Sequence, residues 1–240
     1  MNAGSVLGWL REEKEMNYKG GLYHETQIRL AYNSNRIEGS GLTEDQTRLM
    51  YETGSIFADG DTVIRTDDIM EMSNHFFLFN RMLDSANELL TEELIKEYHR
   101  ILKRGTSDEQ KAWFSVGEYK KLANAVGNTG TSLPEEVHSH MTGLLNRYNA
   151  LKEKNLNDLV DFHYRFEVIH PFQDGNGRVG RIIMFKECLA NEITPFIIQD
   201  KNKAYYYRGL MEYKREKGYL LGTCSHEQNE YRKRMEYYHL

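Results

Sequence analysis

The sequence predicts a mainly α-helical fold, and three observations carry that expectation. Apolar residues recur at three-to-four spacing in several stretches, helix-start signals stand before some of them, and the 240-residue chain has only three prolines, Pro134, Pro171 and Pro195. Taken in order, "NSNRIEG" puts Ser34 and Glu38 one turn apart on a helical face, and Gly39 is suited to cap a helix ending at the glutamate. Thr43 and Gln46 have capping-box spacing at the next start. In "DDIMEMSNHFFLFNRMLDSANELL" the stripe is Ile69, Phe76, Phe77, Phe79 and Met82; in "TEELIKEYHRIL" it is Leu94, Tyr98, Ile101 and Leu102. Residues 122–131, "LANAVGNTGT", resist a helix, because two glycines and two asparagines favour a hairpin or open loop. Ser132 and Glu135 again have capping-box spacing, ahead of Val137, Met141, Leu144 and Leu145. Leu159, Phe162, Phe166 and Ile169 stripe the next helix, and "RVGRIIMFKECLAN" reads as the one after it.

A chain of 240 residues can bury roughly three quarters of its unfolded surface, so it needs no metal or disulfide to fold. With 40% apolar and 28% charged residues disorder is not expected, and a net charge of −5 with a pI near 6.0 argues against a dedicated nucleic-acid partner. No eighteen apolar residues run together and the first twenty lack a signal-peptide pattern, so a cytoplasmic protein with no membrane partner is expected. Cys188 and Cys224 form no CxxC pair and read as reduced thiols. Without a linker or an internal repeat, residues 1–240 read as a single domain.

Residues 169–181, "IHPFQDGNGRVGR", match three familiar patterns in part. Gly175, Gly177 and Gly180 fit the dinucleotide fingerprint, with Asp200 beyond, but the preceding segment reads as a helix where a strand is required. The P-loop spacing fails because Arg181 and Ile182 replace its Lys and its hydroxyl. An EF-hand starting at Asp174 would need ligands from Arg178 and Phe185, which cannot supply them. What these patterns share is a phosphate cradle: glycines around Asn176 expose backbone N–H groups at a helix N-terminus. Arg178 and Arg181 there oppose the helix dipole unless a polyanion binds, and His170 is placed to take a proton.

As a whole the run resembles the Fic-family motif H-x-F-x-[DE]-G-N-G-R-x-x-R, matched by His170, Phe172, Asp174, Gly175, Asn176, Gly177, Arg178 and Arg181. Similarity covers most of residues 25–215. The resemblance implies a Fic-type helical bundle: an N-terminal region over 25–60, a catalytic core over 61–215 and a helical extension over 216–240, with a β-hairpin flap beside the active site. It implies AMP transfer from ATP to a hydroxyl side chain of a target protein, possibly itself. His170 would be the general base, Asp174 the ligand of Mg2+, and Gly175, Asn176, Gly177, Arg178 and Arg181 the phosphate site. Phe172 would anchor the loop in the core. Tyr207 would lie on the adenine side, although Lys214 stands where the family often has asparagine. Leu122, Ala123, Asn124, Ala125 and Val126 would dock the target, and Lys120 replaces an arginine frequent at the flap entrance.

Ser34, Glu38 and Gly39 have the spacing S-x-x-x-E-G, which resembles the inhibitory motif of Fic proteins with an N-terminal inhibitory helix. By that resemblance Glu38 would pair with Arg181 and withhold it from the γ-phosphate. The expected activity is therefore auto-inhibited protein adenylylation with magnesium. The alternatives are Glu38-dependent removal of AMP and a non-catalytic nucleotide-binding regulator.

Overall fold

The structure, a computed structural model, describes residues 5–58, 60, 63–126 and 129–239. Ten helices form among these residues: α1 (Val6–Glu15), α2 (Leu22–Ile37), α3 (Glu44–Thr53), α4 (Thr66–Asp84), α5 (Glu92–Lys103), α6 (Pro134–Asn149), α7 (Leu156–Ile169), α8 (Asn176–Ala190), α9 (Lys203–Glu212) and α10 (Gly218–Tyr237). Of α8 only Gly177 and Ala190 escape burial, so this helix has no polar face; α1, α2, α4, α5 and α7 pack around it. Phe79 of α4 meets Phe185 of α8 edge to face at 5.7 Å, and Tyr231 of α10 meets it from another side at 5.8 Å. The last helix is thus part of the core, to which it gives Leu220, Cys224 and Tyr231. Both cysteines are buried and unpaired.

The start and stop signals act largely as read. Thr43 and Gln46 form a reciprocal capping box, with bonds of 3.1 and 3.0 Å. Gly39 follows the end of α2 at φ +91°, a conformation that costs a residue with a side chain about 1 kcal/mol or more. The Ser132–Glu135 box does not form. With Pro134 fixed at the first helical position, the start slips one residue and Glu136 reaches back to the N–H of Leu133 at 3.1 Å. Phe77 departs from its assigned stripe: it is 55% exposed, and Arg104 covers its ring at 5.0 Å.

The flap region is mostly irregular. Its described residues hold two two-residue strands, β1 (Ala125–Val126) and β2 (Thr129–Gly130), paired antiparallel as Ala125↔Gly130 and Val126↔Thr129. Gly127 and Asn128, which the sequence reading placed in this loop, lie outside the described residues. No helix among the described residues is long and apolar enough to cross a membrane.

Candidate active site

Helix α7 stops at Ile169 because Pro171 has no N–H to continue it, and His170 caps it in a left-handed conformation, φ 52° and ψ 63°. A residue with a side chain pays roughly 1–2 kcal/mol for that conformation, so the surroundings must fix it. They do so in three ways. Phe172 is fully buried and stacks on His99, with centroids 3.9 Å apart and planes within 1°. The Asn176 side chain bonds both the N–H and the carbonyl of Phe172, each at 2.8 Å. Gly175 turns the chain at φ +82°, a conformation that strains any residue with a side chain, although a β-carbon there would only touch Leu102, His99 and Lys103. The Asn176 amide is therefore committed to the loop, which leaves only its backbone N–H for an anion.

His99 braces the same loop. Its Nδ1 accepts from the N–H of Gly117 at 2.9 Å, so Nε2 carries the proton and donates to the carbonyl of Asp174 at 3.1 Å. Burial pushes this imidazole down to about 3, so it stays neutral.

The loop delivers the first turn of α8, whose ladder begins only with Val179 N–H to Gly175 O, at 3.0 Å. The N–H groups of Asn176, Gly177 and Arg178 are left facing outward with the positive end of the helix dipole. A carboxylate lies against that turn. Glu38 Oε1 would be 2.3 Å from a β-carbon placed on Gly177. The same oxygen accepts from Arg181 Nη2 at 2.8 Å, while Arg181 Nε donates to Ser34 Oγ at 3.1 Å and Nη2 to the Ser34 carbonyl at 2.9 Å. Ser34, Glu38 and Arg181 thus meet, 143 residues apart in the chain in the case of the ion pair. Tyr207 joins the same wall, its hydroxyl donating to the Ile37 carbonyl at 3.2 Å.

Arg178 turns inward instead. It is buried, and it donates to Glu71, to Asn35 Oδ1 at 3.3 Å and to Asp174 Oδ2 at 3.1 Å. Lys103, at the C-terminal end of α5, also reaches Asp174 Oδ2, at 2.7 Å. Burial opposes ionisation of Asp174, yet the charges of Arg178 and Lys103 outweigh it and hold the carboxyl well below the usual carboxylate range. Among the described residues no hydrogen bond reaches its Oδ1, so this ionised oxygen fits a hard divalent cation. Sequence reasoning missed Lys103, Glu71 and His99. The available signal was that His99 and Lys103 each directly follow a core position of the α5 stripe, Tyr98 and Leu102.

Beside His170 the flap is tied down by Lys120. Its ammonium donates to Asn124 Oδ1 at 2.6 Å, Thr131 Oγ1 at 2.7 Å and the Ile169 carbonyl at 3.4 Å, bridging both arms of the flap and the end of α7. Further bonds run from Asn124 Nδ2 to the Phe172 carbonyl and from Leu122 N–H to Gln173 Oε1. Burial lowers the Lys120 ammonium to about 8. Burial and the charge of Lys120 together lower His170, whose Nδ1 is buried without a hydrogen-bond partner, below its ordinary value. The imidazole is then a neutral base at pH 7. Ala123, Ala125 and Leu122 are exposed at the flap surface.

Residues 89–188, which include the whole 170–181 loop and helix start, match the family model described as Fic/DOC family. Over those residues the chain is similar to the Fic/DOC family. A protein adenylyltransferase Fic of Nematostella vectensis is 26% identical over 191 residues, 78% of this chain and 43% of the relative. One of Aedes aegypti is 28% identical over 186 residues, 76% of this chain and 36% of the relative. This chain therefore spans less than half the length of these curated relatives. The crystal structure of a Fic domain-containing signaling protein from Bacteroides thetaiotaomicron is 25% identical and superposes with a TM-score of 0.69, covering 96% of this chain and 90% of the other.

Proposed function

We propose that this chain is an auto-inhibited protein adenylyltransferase, which transfers AMP from ATP to a Ser, Thr or Tyr hydroxyl of a target protein, itself included, and releases pyrophosphate. The observation that carries this reading is the Glu38 carboxylate lying on the first turn of α8 in contact with Arg181. An anion already sits where a phosphate would go, on the cation that would hold it.

In the active form Glu38 swings away and the triphosphate takes its place. Arg181, joined by Arg178 once that guanidinium turns out from Glu71 and Asp174, holds the β- and γ-phosphates, and the N–H groups of Asn176, Gly177 and Arg178 face the charge that builds as the α-phosphorus is attacked. His170 removes the proton from the target hydroxyl. The new bond forms between that oxygen and the α-phosphorus, and the bond from the α-phosphorus to the bridging oxygen breaks as pyrophosphate leaves. Asp174, through Oδ1, is the residue to hold Mg2+, which supplies charge neutralisation on the phosphates when bound. Tyr207 lines the base side. Leu122, Ala123, Asn124, Ala125 and Val126 offer extended backbone for the target chain, held in place by Lys120.

The test is incubation with labelled ATP and magnesium, followed by measurement of AMP on protein. Glu38→Gly raises incorporation and His170→Ala abolishes it. If Glu38→Gly leaves both target and self-modification at the wild-type level, the inhibitory assignment is wrong. A Glu38→Gly protein that binds ATP and transfers nothing is instead a nucleotide-binding regulator.

A further inference from the structure

The Lys103 side chain is 2% exposed, and its ammonium is ion-paired with three carboxylates from three separate segments: Glu71 of α4 at 2.5 Å, Asp108 at 2.6 Å and Asp174 of the motif loop at 2.7 Å. Two of these contacts, to Glu71 and Asp174, are hydrogen bonds, and the third, to Asp108, is an ion pair. One oxygen from each acid lies within 4.8 Å of the others. That spacing would suit a divalent ion ligated by all three, were the lysine absent. The lysine is firmly placed: buried Asn74 donates to the carbonyls of Leu102 and Arg104 at 2.9 and 2.8 Å, Thr106 Oγ1 to that of Lys103 at 2.8 Å, and the Phe114 ring lies 5.5 Å from Nζ. Arg178 contacts Glu71 and Asp174, and Lys111 contacts Asp108 at 2.5 Å, so the three acids face three cations.

We propose that Lys103 is a built-in cation that fills the cage of Glu71, Asp108 and Asp174, shuts divalent metal out of it, and leaves Asp174 a single oxygen for the metal of the phosphate site. Lys103 is a positioning residue: it acts through Asp174 and does not touch the reacting atoms. The proposal rests on the adenylyltransferase reading only where it names that second metal. A divalent ion inside the cage would take both Asp174 and Glu71, and would pull them from Arg178.

The test uses Mn2+ and no nucleotide, so failure of AMP transfer would leave its result untouched. Free Mn2+ is counted by electron paramagnetic resonance in titrations of wild type, Glu71→Gln, Lys103→Met, and Lys103→Met combined with Glu71→Gln. Removing a charge in direct contact with a carboxylate changes the affinity of that carboxylate for a cation about tenfold or more. Lys103→Met therefore gains a Mn2+ site at least about tenfold tighter than any in wild type, its melting temperature rises with added Mn2+, and Glu71→Gln removes the gain. Should Lys103→Met fail to fold even with Mn2+, Lys103→Gln keeps a neutral donor and carries the same expectation. The proposal is overturned if the variant binds Mn2+ no better than wild type, or if wild type already binds Mn2+ in a way that Glu71→Gln abolishes.

Discussion

Replacing Glu38 by glycine removes one charge-assisted hydrogen bond, 2.8 Å long, from Arg181 and clears the carboxylate from the first turn of α8. Such a bond contributes about 1.5–3 kcal/mol. With the Glu38 side chain 31% exposed, solvent screening puts it toward the lower end, about 1.5–2 kcal/mol. Arg181 keeps both of its bonds to Ser34, so it stays in place while its competitor is gone. At 1.4 kcal/mol per tenfold, the Kd for ATP should fall about 10- to 30-fold. Titration calorimetry with ATP and magnesium, in a His170→Ala background that prevents turnover, measures this directly. Glu38→Gln keeps the acceptor oxygen and loses the charge, so its gain should be smaller. Equal ATP affinities, within about twofold, for Glu38→Gly and its parent would refute the competition argument.

Three further outcomes follow from the geometry. With His170 as the proposed neutral base and its folded value below the ordinary one, the acid limb of a kcat/KM profile should fall below pH 6.5; Lys120→Met, which removes one of the two main causes, should move that limb upward. Burial raises Glu167 to about 8 against an ordinary 4.5, so the folded chain binds an extra proton between those values and loses stability as pH rises through them, by up to about 1.4 kcal/mol per pH unit. Glu167→Gln should flatten the dependence of Tm on pH between 5 and 8. Gly209→Ala would put a methyl group 2.7 Å from the backbone of Leu220, which cannot swing aside; it should cost about 1–3 kcal/mol by denaturant unfolding, from parting of α9 and α10.

The parts of this site that could be read in the sequence are those whose residues lie within a turn or two of each other. His170 to Arg181 is one continuous loop and helix start, and Ser34 with Glu38 is one turn of α2, so spacing alone placed them on common faces. Helix periodicity worked for the same reason. The Lys103 cluster joins residues 32 and 71 positions away, and nothing in local spacing links Glu71 or Asp108 to Asp174. The failed start at Ser132 has a local cause, because two overlapping acid spacings competed and Pro134 decided between them. Asn176 was read as an anion ligand because asparagine among glycines exposes N–H groups; its side chain instead closes the loop on Phe172, a bond that only the folded turn makes available.

Helix α2 carries Glu38 at its end, yet it is no detachable arm: Leu22, Ile28, Leu30 and Ala31 on it are almost wholly shielded, and Gln27 is buried against α4. Undocking it would take apart the core along with the Glu38 contact. On the proposed reading, release would come from rotation about the glutamate's own side-chain bonds, because the last turn of α2 stays closed by the bonds of Glu38, Gly39 and Ser40 N–H to Asn35 and Arg36 carbonyls. If Glu38 inhibits as proposed, an inhibitor mounted this way would have no latched state. It would set a steady ratio of closed to open molecules, which ATP concentration or a partner touching that one turn would shift by degrees.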